Sequence, residues 1–220
     1  ISKESERDYE YTVSWLDCLG DYNGVGRGIF MRGNHSDKKE ENMLKVVHRN
    51  PTWKTFPVDA PSFFLSPAAV SIFNHVYYHK QFKKCKQSTV HYDTFFYPLD
   101  NINHWNRMYG KRGFLQWQCV VPVTTGKNEA IRVILKEIIQ SKLGSFLVVL
   151  KEFGVLNSHG MLSFPMPGIT LALDFPNVGR RLFSLLDRLD MIIIDAGGRI
   201  YPAKDARMAA ITFKSSFSEF

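Results

Sequence analysis

Hydrophobic positions along the chain follow two periods, which together predict an α+β fold. Alternation of apolar and polar residues, or a short apolar run, indicates a strand, whereas apolar residues three or four apart indicate one face of a helix. By these patterns we predict strands over residues 9–19, 28–32, 114–121, 145–151, 168–175 and 199–203. Helices are predicted to begin at Ser66 and after Asn128, and a further helix is marked by Leu182, Leu185, Leu186 and Leu189.

Local signals at the helix ends support this assignment. Ser66 is a good N-cap and Pro67 suits the first helical position, while Asn128 caps the next helix. Gly197 and Gly198 end the last one. In the second half of the chain the order is β-α-β followed by β-α-β, as in the ferredoxin-like split βαβ fold. We therefore expect an antiparallel sheet with helices on one face and the other face free to cover a ligand.

Composition narrows the class of protein. The chain has 220 residues, 45% hydrophobic and 22% charged, which is enough for one domain with a core. Its three cysteines are too few and too scattered for a disulfide framework or a thiolate metal site, so a reducing, cytoplasmic location is expected. The first residue is Ile1 rather than Met, so we expect a piece of a longer protein. A net charge of +7 favours an anionic partner without choosing among nucleic acid, phosphate and acidic lipid.

Two apparent motifs have simpler interpretations. Residues 24–28 are glycine-rich like a phosphate loop, but no helix is predicted after them and the third glycine is misplaced, which favours a turn between strands. His75 and His79 have the spacing of two zinc ligands on a helix. The glutamate of the zinc-protease motif and a third ligand are both missing, so we predict no metal site.

The predicted strand at 114–121 has two competing interpretations. Residues 112–118 partly match an RNA-binding strand motif, but Leu115 and Gln116 stand where the motif needs a small residue and an aromatic one, so nucleic acid is not the expected partner. In a strand, Gln116 and Gln118 share one face, and two neutral amides can hydrogen-bond a polyhydroxylated ligand. An ordinary exposed strand face would look the same.

Seven segments, taken in order, resemble one family. They are residues 11–17, 96–100 with 105–107, 114–122, 150–154, 162–168, 174–176 and 198–207. These stretches are similar to the substrate domain of flavoenzymes of the vanillyl-alcohol-oxidase type, and especially to the decaprenylphosphoryl-ribose oxidase family. The resemblance implies that residues 1–220 form a substrate-binding domain. It also implies an FAD domain before this domain and a tail after it, both outside this chain, so that the chain alone would hold little FAD and be inactive.

The same resemblance implies roles for particular residues. Carried over by position, Tyr201 and Lys204 approach the isoalloxazine ring, with Lys204 as the catalytic cation. The sugar-phosphate pocket would be lined by Gln116, Gln118, Lys151 and Phe153, together with Thr170 and Ala172. The implied activity is oxidation of a carbinol of a sugar or prenyl-phospho-sugar by hydride transfer to FAD; the electron acceptor and the general base are left unassigned.

Departures from the family pattern leave alternatives open. Thr170 and Ala172 stand where the family often has Asn and Cys, which leaves the exact substrate open. The aldonolactone oxidases carry His-Trp-x-Lys where this chain has Tyr201-Pro-Ala-Lys204. This difference favours a glycosyl phosphate over a lactone. A non-enzymatic ferredoxin-like module that binds RNA or protein is the alternative from another class.

A basic stretch predicts a further contact. Residues 80–86 contain Lys80, Lys83, Lys84 and Lys86, which would be attracted to an anionic membrane surface. A solvated helix end, where lysines favour the C-terminal dipole, explains the same residues. We therefore expect a cytoplasmic protein, with peripheral membrane contact as one interpretation of this segment.

Overall fold

A computed structural model describes residues 2–5, 7–19, 26–36, 55–97, 99, 102–123, 129–156 and 158–218. Its strands are β1 (Tyr11–Asp17), β2 (Arg27–Gly33), β3 (Phe114–Pro122), β4 (Val148–Phe153), β5 (Gly168–Pro176) and β6 (Arg199–Ile200). Its helices are α1 (Ser2–Ser5), α2 (Pro67–His79), α3 (Tyr92–Phe96), α4 (Glu129–Ser141), α5 (Arg180–Asp195) and α6 (Ala210–Ser216). Short 3-10 turns cover Ser62–Leu65 and Trp105–Tyr109.

The strands form one antiparallel sheet in the order β2-β1-β4-β5-β3-β6. The units β3-α4-β4 and β5-α5-β6 interleave, so that β5 lies between β3 and β4. This is the order of a split βαβ fold, and the predicted α+β, ferredoxin-like class is confirmed. The β1–β2 hairpin extends the sheet beyond β4.

The main core lies between the sheet and the pair α4 and α5. Alternate residues of the central strands point to this side because successive side chains of a strand project to opposite faces. The buried side chains that fill it include Trp117, Cys119, Leu171, Leu173, Ile134, Ile138, Leu185 and Leu189. Since one set of alternate residues is used here, the other set, which contains Gln116 and Gln118, must face away from α4 and α5.

The hairpin end of that opposite face is covered by α2. The helix was predicted from the sequence, but its packing over this face was not. Trp15 and Asp17 project there from β1. Asn74 of α2 donates a hydrogen bond of 2.9 Å to Asp17 Oδ1, and the Arg27 guanidinium pairs with Asp17 Oδ2 at 3.2 Å. The Tyr77 ring lies 4.7 Å from that of Trp15, centroid to centroid. The rest of this face, over β3, β4 and β5, remains partly open.

Several predicted boundaries shift for local reasons. The strand predicted from residue 145 begins at Val148, because the Ser145 hydroxyl bonds the Leu147 N–H and carbonyl at 3.0 and 2.7 Å and forms a turn there. The strand predicted over 199–203 stops at Ile200, since Pro202 has no N–H to donate to a ladder. Ser66 caps α2 as predicted, accepting from Ala69 N at 3.3 Å. Residues 24–25 of the glycine-rich turn, and the Asn128 cap, lie outside the described residues.

Candidate functional site

Strand register brings the predicted pocket residues to one face of the sheet. Gln116 pairs with Asp174 and Gln118 with Ala172 across β3 and β5. Lys151 pairs with Thr170 across β4 and β5. All of these side chains, and Phe153 two residues after Lys151, project away from α4 and α5. We call this surface, from Lys151 across to Gln116 and Gln118, the open sheet face.

The two amides at its centre are already engaged with β5. Gln116 donates from Nε2 to Asp174 Oδ1 at 3.0 Å, and Gln118 donates from Nε2 to Thr170 Oγ1 at 3.1 Å. Both glutamines are half-buried, whereas Thr170, on the same face of the sheet, is buried. The amide carbonyl oxygens are therefore the ends left to accept hydrogen bonds from a ligand.

Lys151 lies at one side of the open sheet face, and a row of aromatic rings runs from there to the other side. Lys151 is exposed, and Phe153 packs edge-on against buried Phe164 with ring centroids 6.0 Å apart. Phe164 in turn lies 4.6 Å from the Tyr201 ring. This row links β4 to the segment after β6. It gives the face an apolar wall next to its polar centre.

The opposite side is the segment after β6, which two glycines set in place. Gly197 ends α5 with φ 69°, a left-handed conformation that glycine adopts at little cost. A Cβ on Gly198 would lie 2.4 Å from the Val120 carbonyl oxygen, so only glycine allows the chain to return this close to β3. Tyr201 N then donates to Gln118 O at 2.9 Å. After Pro202 the chain turns, and Lys204 Nζ lies 5.8 Å from the Tyr201 ring centroid.

Buried charges hold this segment against the sheet. Arg207 pairs with Asp190 of α5, whose other oxygen accepts from Trp117 Nε1 at 2.8 Å. Asp205 Oδ2 accepts from the backbone N–H of Gln116 at 2.6 Å. These contacts fix Lys204, which lies between Tyr201 and Asp205 in the chain, near the amides. A small cleft at this edge is lined by Gln116, Trp117, Gln118, Ile200, Tyr201, Lys204, Asp205, Arg207 and Met208.

Asp174 is the most unusual ionisable group near the site. Its side chain is only 4% exposed, and its Oδ2 has no hydrogen-bond partner among the described residues. Burial raises its pKa to about 6, against the hydrogen bond from Gln116 and the positive charge of Lys204, while Asp205 adds to the rise. Burial and the Asp174 charge also raise the pKa of the Tyr109 phenol, which stays neutral. A carboxyl with a pKa of about 6 therefore lies beside Gln116, on the neighbouring strand.

Sequence analysis gave Asp174 and Phe164 no role, although both lie in segments that resemble the family. Asp174 had a signal: it interrupts the apolar run of a strand that is buried on one face, where an unpaired carboxylate is costly. No sequence signal indicated Phe164, because its position depends on a loop that returns to the sheet. Asp205 and Arg207 stood within a matching segment, but their partners are 89 and 17 residues away in sequence.

Two further observations bear on what the site does. Trp117, the aromatic of the RNA-like motif, is buried against the helices with 2% of its surface exposed, so its ring is not available for stacking on a base. Among the described residues no cluster of three His, Cys, Asp or Glu side chains is placed to hold a metal, and no helix is long and apolar enough to cross a membrane.

Comparison with known proteins supports the resemblance found in the sequence. No protein-family model matches the chain. Over 222 aligned residues, however, it is 33% identical to a decaprenylphosphoryl-β-D-ribose oxidase of Mycolicibacterium smegmatis, an alignment that covers 98% of this chain. Nearly the whole chain is thus similar to part of a decaprenylphosphoryl-β-D-ribose oxidase. It is also 34% identical, over 96 residues and 44% of its length, to an uncharacterized protein encoded in the mprA 5′ region of Streptomyces coelicolor.

The alignment covers only part of each relative. This chain spans 47% of the length of the Mycolicibacterium oxidase and 25% of the Streptomyces protein. The resemblance found in the sequence segments is thus confirmed. Activity, substrate and cofactor are properties of the whole relative, and for this chain they are matters of proposal.

Proposed function

We propose that residues 1–220 form the substrate-binding domain of an FAD-dependent oxidoreductase that oxidises a carbinol of a sugar or glycosyl phosphate. The observation that supports this best is the open sheet face, where two amide groups lie between a lysine on β4 and a lysine after β6. Two hydrogen-bonding amides with a cation on each side suit a polyhydroxylated, anionic ligand. The relative named for decaprenylphosphoryl-β-D-ribose supports the same substrate class.

Within this proposal the residues of the open sheet face bind and orient the sugar. Gln116 and Gln118 accept hydrogen bonds from ring hydroxyls through their free carbonyl oxygens. Lys151 is exposed at the edge, where it can pair with a phosphate or a hydroxyl. Phe153, Thr170 and Ala172 provide the walls. Holding the carbinol carbon in one orientation lowers the entropic part of the barrier.

Tyr201 and Lys204 are proposed to meet the flavin edge. A flavin, when bound, accepts the hydride. Both side chains are half-buried, and the ammonium group lies over an aromatic ring at the rim of the open sheet face, a placement that fits a planar ring acquiring negative charge. A fixed cation stabilises the reduced, anionic ring more than the oxidised one, an effect on the order of 3 kcal/mol. Lys204 is therefore the proposed catalytic residue.

Anaerobic mixing of the full-length protein with candidate substrates tests the substrate class. We expect a prenyl-phospho-ribose to bleach the flavin absorbance and an aldonolactone to leave it unchanged, because Tyr201-Pro-Ala-Lys204 lacks the His-Trp pair of the lactone oxidases. Bleaching by the lactone alone would support the aldonolactone alternative. Retardation of mixed RNA in a gel, with no bleaching by either compound, would favour the RNA-binding alternative.

Contact with an anionic membrane surface is the second part of the proposal. The described residues after α2 include Lys80, Lys83, Lys84 and Lys86, all exposed. Beside them α2 presents Ile72 and Val76, one helical turn apart and 65% and 64% exposed. Apolar side chains bordered by lysines are the pattern of a helix that lies in a membrane interface. This surface would keep the domain close to a substrate that carries a lipid tail.

A further inference from the structure

Asp174 and Gln116 form a coupled pair on the open sheet face. Asp174 lies opposite Gln116 in the β3–β5 register, and its Oδ1 accepts from Gln116 Nε2 at 3.0 Å. Gln116 is held from its other side as well, since its backbone N–H donates to Asp205 Oδ2 at 2.6 Å. The strand position of Gln116 is therefore fixed, and the remaining freedom is the direction of its amide.

The charge state of Asp174 decides that direction. An ionised carboxylate only accepts hydrogen bonds, so the NH₂ end of the Gln116 amide must face it. The carbonyl oxygen then remains for a ligand. Gln118 differs, because its partner is the Thr170 hydroxyl, which both donates and accepts and so allows either amide direction. The two glutamines look alike in sequence but are not equivalent in the fold.

We propose that Asp174 is a positioning residue that holds the Gln116 carbonyl oxygen toward the ligand, so that this subsite accepts a hydroxyl group and rejects a phosphate oxygen. A hydroxyl can donate to the carbonyl oxygen, whereas an ionised phosphate has only acceptors to offer and would be repelled. The ring hydroxyls of the sugar then lie over Gln116, and the phosphate is directed toward Lys151. The inference rests on the proposed function, since it assumes that this face binds a sugar.

The pair should respond to pH because of the groups around Asp174. Lys204 favours the ionised carboxyl, Asp205 opposes it, and the neutral phenol of Tyr109 adds no charge. Burial is the largest influence and places the pKa at about 6. Once protonated, the carboxyl can donate to the Gln116 carbonyl oxygen, and the amide is free to reverse. Above that pH the amide direction is fixed; below it the direction is lost.

Steady-state kinetics of the full-length protein with a prenyl-phospho-ribose tests the pair. This probe is a phosphodiester and does not itself titrate near pH 6. In the wild type we expect KM to rise about five- to tenfold between pH 7.5 and pH 5, the equivalent of one neutral hydrogen bond, with kcat changing less. Asp174→Asn should hold KM at every pH near the raised value that the wild type reaches at pH 5, and so abolish the pH dependence, because an amide both donates and accepts. Asp195→Asn, an exposed carboxylate on α5, is the matched control and should behave as wild type.

A comparison of single and double variants shows whether Asp174 acts by positioning Gln116 or has a general structural role. If Asp174 acts through Gln116, then Gln116→Ala and the double variant Gln116→Ala/Asp174→Asn should have the same KM within about twofold. Additive losses, or an Asp174→Asn variant that keeps the wild-type pH profile, would overturn the proposal. Thermal unfolding of each variant shows whether it folds. Gln116→Ala alone must also lose the pH dependence.

A ligand-free measurement distinguishes failure of this inference from failure of the proposed function. In nuclear magnetic resonance spectra of the full-length protein, the side-chain NH₂ signals of Gln116 should shift with a midpoint near pH 6, and Asp174→Asn should remove the shift. That result without any sugar turnover would reject the proposed function and leave the pair intact. Gln116 signals that do not respond to pH would reject the pair, whatever the substrate.

Discussion

At the scale of single residues, the proposed positioning role of Asp174 opposes stability. Its buried carboxyl has a folded-state pKa of about 6, above the ordinary value of 3.8. Below pH 3.8 the carboxyl is protonated in both the folded and the unfolded state, so it does not change the free energy of unfolding. As pH rises toward 6 the unfolded state ionises first, so the folded state loses stability over this window. Above pH 6 the full cost of ionising a buried carboxyl is present.

Asp174→Asn should therefore stabilise the protein at neutral pH. The amide keeps the acceptor for Gln116 and removes the buried charge, which we expect to be worth about 1–3 kcal/mol at pH 7.5. The advantage should shrink toward zero near pH 4. Urea unfolding of wild type and variant at both pH values measures it. An advantage of equal size at pH 4 would show that charge is not the cause.

At the scale of elements, the segment after β6 depends on one buried ion pair. Arg207 and Asp190 have side chains 11% and 5% exposed, and Asp190 also accepts from Trp117. Removing one partner of such a pair leaves an uncompensated charge. Arg207→Ala should thus cost about 3–5 kcal/mol of unfolding free energy and displace Lys204 from the open sheet face.

The matched control is Arg188→Ala on α5. Arg188 Nε lies 3.2 Å from Glu137 Oε2, but the two side chains of this ion pair are 56% and 32% exposed. An exposed pair contributes about 0–1 kcal/mol, so this variant should unfold almost as the wild type does. Equal losses for the two arginines would contradict the structural role given to Arg207.

The α2 region makes the other element-scale prediction. If the lysines after α2 bind an anionic membrane, the double variant Lys83→Gln/Lys84→Gln should lose about 2 kcal/mol of binding, roughly 30-fold in affinity. Lys136→Gln/Lys214→Gln removes the same charge from exposed positions elsewhere and should lose less. Sedimentation with vesicles containing acidic lipid measures both. Equal binding to neutral and acidic vesicles would leave the solvated helix end as the explanation.

Sequence predicted the elements better than their contacts. The six strands and the helices α2, α4 and α5 followed from hydrophobic period and caps, because these depend on neighbours within a few residues. The short helices α1, α3 and α6 were not predicted. The placement of Gln116 and Gln118 on the same face followed from the alternation of side chains along a strand. What could not be predicted depends on long-range packing: α2 over Trp15, Phe164 beneath Tyr201, and the meeting of Asp174 with Gln116 across 58 residues.

At the scale of the whole molecule, the proposed site is a surface assembled from four elements. β3 supplies the amides, β5 their partners, β4 one lysine, and the segment after β6 the other. None of these elements is sufficient alone. The open sheet face over β3, β4 and β5 is the surface on which the proposed ligand would lie.

The proposed mechanism depends above all on separate roles for Lys204 and Lys151. Lys204 is assigned to the flavin edge, where charge appears only as hydride arrives, so its loss should act on the chemical step. Lys151 and Gln118 are assigned to the ground-state pocket, so their loss should act on affinity. Lys136 on α4 points away from the open sheet face and provides the control lysine.

Anaerobic stopped-flow reduction of the full-length protein, at varied prenyl-phospho-ribose concentration, measures both quantities at once. We expect Lys204→Ala to lower the limiting rate of flavin reduction about 100-fold with little change in apparent Kd. Lys151→Ala and Gln118→Ala should raise the apparent Kd with a smaller effect on the limiting rate, and Lys136→Ala should match the wild type. A Lys204→Ala variant that reduces its flavin at the wild-type limiting rate would contradict the placement of Lys204, and with it the proposed mechanism.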